Sequence, residues 1–533
     1  MRLQLLIAVA AIATVPGRVE RPPPPGGAAA QWTTTRLDLD LTIDTAGQRI
    51  QGEAQLRVRL DDSTASSLRL TIGAASRMLA ITGDSGITAS LDSAGSEALV
   101  TVGARRPGDE VNLQVRFVNR GQSFQLVVSG RGALASWARG WYPVPAGAAA
   151  RAPGTTRLRI PEGWHSLSNG ALVDSAITPT TRTETWQSDE PVARSFVAGA
   201  YRVERRVAAG RQVAAYLLPR SDGDPTRYAE LIGRVIETVS PVFGPYPYQA
   251  YAIAEIPAGL VTWTGSSEQG FFMASGLGAQ INLPLFAHEL SHGWWGNHVL
   301  SANPAAQMTS EALAQLGAAL AIEGIEGRAA AVDFLRFSRD GYNSRQCARG
   351  YFAMRRAGLD KPLMQLAGSP NDHNLSDAKG HWVYWMLRQR VGPGVFATVF
   401  QRLQRDFAGR PMSLADLRQA FVAGVPAEAD LTRFFEEWLD RAGAPSIGLR
   451  WRHGGTEARP TAVITITQRG DIYHLPIAVA IATEGDTVTH VIRLSRAEQA
   501  FTFGVRVRPT AVLLDPHHEV LRWQPEYGPE PDR

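Results

Sequence analysis

Cysteine is almost absent from this chain of 533 residues: Cys347 stands alone. No internal disulfide can form, and with no ligand-like neighbours Cys347 reads as a buried small hydrophobe. Lysine is nearly as scarce. Lys361 and Lys379 are the only two, although Lys and Arg together number 54. The positive charge is therefore arginine, and it is scattered. A net charge of +4 and a pI near 9.3 come with no basic run or motif, so no nucleic-acid partner is expected. Long apolar stretches are missing too. The run Leu3 to Val15 is too short to span a bilayer, and no stable membrane span is expected elsewhere. The sequence also has no internal repeat and no Gly-rich phosphate loop. Oligomeric state is not readable from these features.

That short apolar run follows Arg2 and contains the small-residue triplet Ala11-Ile12-Ala13, the pattern of an export signal with its cleavage site. No cysteine follows it, which excludes a lipoprotein anchor. Pro22 to Pro25 with Gly26 and Gly27 then form an extended linker. Residues 1–31 are thus expected to be leader and linker, and the protein to be exported, periplasmic or secreted. The alternative is a cytoplasmic protein with a disordered tail.

The remainder divides by periodicity into a multidomain α+β chain. From 32 to 206 the pattern is β: Leu37, Leu39, Leu41 and Ile43 alternate with Arg36, Asp38, Asp40 and Thr42, and Leu56, Val58 and Leu60 alternate likewise. A large antiparallel N-terminal β domain is expected there. Between 207 and 445 helical patterns dominate, around Tyr228 to Ser240, Val332 to Arg339, Gly380 to Arg390 and Leu414 to Ala423, with a strand at Ala250 to Ile256. From 446 to 533 strands return at Thr461 to Thr467, Ile477 to Ala482 and Val488 to Leu494, with Glu484-Gly485-Asp486 as a hairpin turn. A C-terminal β-sandwich is the expected result. The adjacent His517 and His518 face apart on a strand or turn and are placed in a turn.

Chemistry concentrates in His288-Glu289-Leu290-Ser291-His292. On a helix His288 and His292 stand at i and i+4, so both imidazoles project from one face and can reach one ion at about 2.0–2.1 Å. Glu289 sits one position round, at the rim, where it can reach water at the metal without ligating it. A catalytic zinc takes three protein ligands and one open position. Eighteen residues separate His292 from Glu311, which opens the run Glu311-Ala312-Leu313-Ala314-Gln315-Leu316-Gly317, with Thr309 or Ser310 able to cap it. The chain reads as helix, loop, helix, with Glu311 facing back toward the histidines. The expected cofactor is one zinc ion per chain on His288, His292 and Glu311, with Glu289 as general base.

With that motif the sequence resembles the zinc aminopeptidases of the alanyl-aminopeptidase and leukotriene-hydrolase type, gluzincins whose pattern is HExxH, eighteen residues, then Glu. His288 to Asn297 reads HELSHGWWGN, close to the family's HELAHQWFGN. Trp141-Tyr142-Pro143, Leu167-Ser168-Asn169-Gly170, and Phe434-Phe435-Glu436-Glu437-Trp438-Leu439 followed by Gly443-Ala444-Pro445 resemble further family segments. The resemblance implies a thermolysin-like α+β catalytic domain, peptide substrates and an aminopeptidase activity. It also implies that Gly265-Ser266-Ser267-Glu268-Gln269 stands for the family's G-x-M-E-N loop, so that Gly265 and Glu268 bind the substrate's free amino group. The family's Tyr-x-Lys-Gly segment, whose Tyr stabilises the oxyanion, is matched by Asp377-Ala378-Lys379-Gly380. Asp377 therefore occupies the Tyr position, and Tyr384 and His381 are the candidates to replace it. The family's helical C-terminal domain has no counterpart in the sequence, which implies an open cleft. Three readings follow: aminopeptidase; endopeptidase, if Ser267 and Gln269 leave Glu268 unable to hold an amine; or a zinc-binding homologue impaired by loss of the Tyr.

Overall fold

The computed structural model describes residues 32–61, 64–120, 126–136, 140–261, 265–338, 345–426 and 429–531. The expected leader and proline linker, residues 1–31, lie outside the described residues. In the strand Trp32–Asp44, Leu37, Leu39, Leu41 and Ile43 are buried on one face while Arg36, Asp38, Asp40 and Thr42 stay on the other. This strand sits within a seven-stranded sheet, between Arg49–Leu60 and Ala152–Pro161. Two four-stranded sheets join it, and inward residues such as Leu56, Val58, Leu113, Trp141 and Trp186 share one core. The expected antiparallel domain needs one correction. Trp32–Asp44 and Ala152–Pro161 run parallel, with Leu41 opposite Leu158. Alternation reports which face of a strand is buried but says nothing about its neighbour's direction. A parallel pair requires a long crossover, which the chain between these strands supplies.

The 206/207 division falls inside the strand Arg202–Ala208, which pairs with Arg211–Leu217 as the edge of the next sheet. That five-stranded sheet continues through Ala250–Ile256 and Phe271–Ser275 to the opposite edge, Gly265–Glu268. Arg211–Leu217, Ala250–Ile256 and Phe271–Ser275 are mutually parallel, and both faces are covered. Tyr251 and Ile253 join the core built by the helix Pro225–Phe243, while Ala252 and Ala254 join that of the N-terminal domain. Double-sided burial explains why Ala250–Ile256 is apolar almost throughout. The expected helical stretches appear as Pro225–Phe243, Arg328–Phe337, His381–Val391 and Leu414–Gly424.

Two helices cross behind the Gly265–Glu268 edge. Leu283–Ser291 begins with Asn282 accepting from the Leu285 N–H at 3.0 Å, and Pro284 lies in its first turn. Glu311–Glu326 is not capped as expected. The Thr309 and Ser310 hydroxyls both donate to the Ala306 carbonyl, each at 3.1 Å, and neither accepts from a helix N–H. The helical turn Ala306–Thr309 ends at Ser310, directly before the helix, and the Ser310 N–H bonds back to the Ala306 carbonyl at 3.1 Å. The two helices pack closely because Gly317 carries no side chain. A Cβ there would stand 2.1 Å from Ser291 Oγ and 2.6 Å from Ser291 Cβ. A third helical run, Pro370–Leu375, passes through a π-helical turn at Ser376–Gly380 into His381–Val391. Gly380 lets this turn lie against Glu311–Glu326, since a Cβ on it would meet Met308 Sδ at 2.8 Å and Ala312 Cβ at 2.9 Å.

The last segment forms two three-stranded sheets. Ile464 and Ile466 of one and Val479 and Ile481 of the other share a core with Trp438 of the preceding helix Leu431–Trp438. Thr483 pairs with Asp486, leaving Glu484-Gly485 as a two-residue hairpin turn with Gly485 at φ 83°. His518 lies in a turn, its N–H bonded to the Asp515 carbonyl at 3.0 Å. Cys347 is buried, and burial pushes its thiol pKa up. No described helix is long and apolar enough to cross a membrane.

Gly317→Ala tests the helix crossing. The added methyl must push the two helices apart, at a cost of about 1–3 kcal/mol. Thermal melting is expected to show a lower Tm and chelator competition a zinc affinity reduced about tenfold or more. Unchanged values would show that the crossing tolerates a Cβ.

Candidate metal centre

The crossing brings three donor atoms together. His288 Nε2 and His292 Nε2 are 3.2 Å apart, and each lies 3.5 Å from Glu311 Oε2. Three donors on a tetrahedron of ~2.0–2.1 Å radius stand roughly 3.3–3.4 Å apart, so this triangle fits a zinc ion with the fourth position open. Two nitrogens and a carboxylate oxygen are also the donor set of catalytic zinc. The residues present fit the metal that the sequence implies.

Outer partners fix both rings. His288 Nδ1 lies 2.8 Å from Gln315 Oε1, an acceptor, so the ring proton resides on Nδ1 and Nε2 offers its lone pair. His292 Nδ1 lies 3.1 Å from the Trp295 carbonyl, with the same consequence. Trp295 is itself held in an aromatic cluster with Phe243 and Phe400. Electrostatics agree with the geometry. Burial works to lower the His292 pKa, but the Glu311 carboxylate raises it to about 9. Burial likewise works to raise Glu311, yet the facing imidazoles of His292 and His373 hold it well below the usual carboxylate range. The pocket thus favours a proton at His292, and a cation binds there in competition with it.

Glu289 is half-buried, and its carboxylate is close enough to raise the proton affinity of both His292 and His373. Gly265 and Glu268 lie on the edge strand Gly265–Glu268. Ser267 Oγ donates to the Glu289 carbonyl at 3.1 Å, which ties this strand to the histidine helix. Gly265 is the residue that fits there because a Cβ would stand 2.8 Å from the Phe272 ring. Glu268 is only 1% exposed. Its carboxylate accepts from Ser136 and Ser266 hydroxyls, each at 2.8 Å, and from Ser195. Asn169 braces this pocket, donating to the Gln269 carbonyl at 2.8 Å and accepting from the Ser195 N–H at 2.7 Å.

Asp377 lies in the π turn, fully buried, and accepts from the Gln346 side-chain amide. Burial raises its pKa to about 6, against the pull of His373. Tyr384 does not face the centre. It is fully buried and donates to the Met308 carbonyl at 2.7 Å. Seven residues would place it two turns along the face of Asp377 in a regular helix, but the wider π turn shifts that phase. His381 is also fully buried, with Nδ1 against the Asp377 carbonyl, and burial lowers its pKa to about 3. The structure instead brings in His373, one turn before Asp377. Its Nδ1 is 3.6 Å from Glu311 Oε2 and its Nε2 3.4 Å from Asp377 Oδ2. The i, i+4 spacing of His373 and Asp377 is its signal in the sequence. Gln315 had one too, as the only polar residue between Glu311 and Glu323.

No family model and no curated protein matches the chain. Solved structures do. An M1 zinc metallopeptidase from Deinococcus radiodurans is 20% identical with a TM-score of 0.60, over 77% of this chain and 93% of that one. A variant M1 zinc metallopeptidase from the same organism, bound to a Tyr-Ser-Ala substrate, is 19% identical with a TM-score of 0.60, over 78% and 96%. A variant of a two-domain M1 zinc metallopeptidase bound to L-arginine is 19% identical with a TM-score of 0.61, over 78% and 95%. The fold of this chain is that of the M1 zinc metallopeptidases, the group the sequence resembles.

Gln315→Leu removes the acceptor that orients His288 while keeping the bulk. Zinc affinity, measured by competition with a chromogenic chelator, is expected to fall about 10–100-fold with the fold intact. An unchanged affinity would mean that His288 is oriented without it.

Proposed function

We propose that this protein is a zinc metallopeptidase that removes the N-terminal residue from peptides. The observation that carries this reading is the triangle of His288, His292 and Glu311 at 3.2–3.5 Å with Glu289 beside it. The fold likeness supports it, one neighbour having been solved with a Tyr-Ser-Ala substrate. When bound, one zinc per chain supplies Lewis acidity that polarises the scissile carbonyl and lowers the pKa of water. Glu289 accepts the proton of the attacking water and passes it to the departing amine. The carboxylate of Glu268, at the end of the edge strand, pairs with the protonated N-terminus and places the first peptide bond at the centre.

A second reading has its own observation. Glu268 is 1% exposed and already accepts from three hydroxyls, so its capacity for an incoming ammonium is contested. A protein in which those serines keep the carboxylate would cut internal bonds without regard to a free N-terminus.

One experiment separates these readings. Zinc-loaded protein is given one peptide series with free and N-acetylated ends, and release of the first residue is followed, with Glu289→Ala as control. Free peptides are expected to be cleaved and acetylated ones spared, with the control slower by about 100–10,000-fold. Equal cleavage of both would assign an endopeptidase, and no cleavage with zinc bound would contradict the peptidase reading.

A further inference from the structure

Hydrolysis of a peptide bond places negative charge on the carbonyl oxygen, and an aimed hydrogen-bond donor at that position is worth about 100–1000-fold in rate. Neither Tyr384, spent on the Met308 carbonyl, nor Asp377, fully buried, supplies one. His373 has the required placement. It lies on the short helix Pro370–Leu375, fixed by a capping box between Ser369 and Asp372, and its side chain is 42% exposed. Its Nδ1 points toward Glu311 Oε2 at 3.6 Å, too far for a hydrogen bond. That N–H is therefore not consumed by the carboxylate, and the exposure of the side chain leaves it accessible.

The other side of the ring is fixed. Gln346, 5% exposed, donates its amide nitrogen to Asp377, and the same nitrogen lies 3.2 Å from His373 Nε2. An amide nitrogen has a second hydrogen to offer, so a neutral His373 accepts at Nε2 and carries its own proton on Nδ1. A charged ring carries it there as well, so the donor facing the centre is present in both states. The same residues could be taken for a second metal site, since Glu311, His373 and Asp377 lie near one another. The atoms argue otherwise. Glu311 already belongs to the triangle with His288 and His292, and the shortest approaches of His373 to the two carboxylates come from different ring nitrogens, Nδ1 to Glu311 and Nε2 to Asp377. Nor does His373 join the compact set formed by His288, His292 and Glu311.

We propose that His373, held by Gln346 and Asp377, donates the Nδ1 hydrogen bond that stabilises the developing oxyanion. The assignment rests on the peptidase reading above and gives Asp377 a positioning role.

The test compares zinc-loaded wild type with His373→Phe and His373→Gln. It reads kcat and KM on a free peptide, affinity for a phosphinic pseudopeptide that mimics the tetrahedral state, and zinc content. His373→Phe is expected to lower kcat about 100–1000-fold with KM within a few-fold, to weaken the phosphinic ligand by a similar factor, and to keep one zinc per chain. His373→Gln, which retains a donor, is expected to recover part of both losses. A kcat within threefold of wild type, an unchanged phosphinic affinity, loss of zinc, or two zinc ions in wild type would overturn the assignment. Wild type inactive on every peptide would sink the peptidase reading instead. The phosphinic affinities would still decide the role of His373.

Discussion

The close crossing of Leu283–Ser291 and Glu311–Glu326 is the contact on which the site depends. His288 and His292 come from one helix and Glu311 from the other, so their separation is set by how near the two backbones approach. Gly317 against Ser291 sets that distance. The groups that orient the two imidazoles are hung from these two helices. Gln315, one turn after Glu311, reaches His288, and Trp295, just past the first helix, presents its carbonyl to His292. The edge strand Gly265–Glu268 is bonded to the first helix through Ser267, so the expected amine-binding carboxylate is tied to the same frame.

This arrangement has an electrostatic cost that identifies its purpose. A carboxylate and two imidazoles buried together, with Glu289 and Asp377 nearby, form a pocket whose proton affinity is raised at His292. Buried ionisable groups are seldom a source of stability, because desolvation offsets their attraction. Groups held so close, with both ring tautomers preset for Nε2 donation, have the arrangement that a cation requires. Around that core the protein spends further buried polarity on orientation. Gln346 links the shell behind His288 to the Asp377–His373 pair, since its backbone carbonyl accepts from Gln315 at 3.4 Å while its side chain serves Asp377.

Much of this was legible in the sequence where spacing is local. His288 and His292 at i, i+4 can only share a face of a helix, and period-two alternation placed Leu37 to Ile43 on a buried face. Glu311 was reachable because the family pattern supplies its distance. Three features had no local signal. The parallel pairing of Trp32–Asp44 with Ala152–Pro161 depends on the path of the intervening chain. The helical turn Ala306–Thr309, directly before the next helix, takes the hydroxyls of Thr309 and Ser310, good capping residues, to its own Ala306 carbonyl. The π turn at Ser376–Gly380 broke the periodicity by which Tyr384 was assigned to the face of Asp377. His373 was missed for a related reason: the resemblance directed attention to the position where a Tyr should be, not to the residue one turn earlier.

The central claim is that two imidazoles and one carboxylate, preset by the helix crossing, hold a single zinc with one position open. X-ray absorption at the zinc edge, on protein loaded to saturation, tests this most directly. The account predicts one zinc per chain, two imidazole nitrogens, and light-atom ligands at ~2.0–2.1 Å in four-coordinate geometry. A second zinc, or a shell with one imidazole or three, would contradict it.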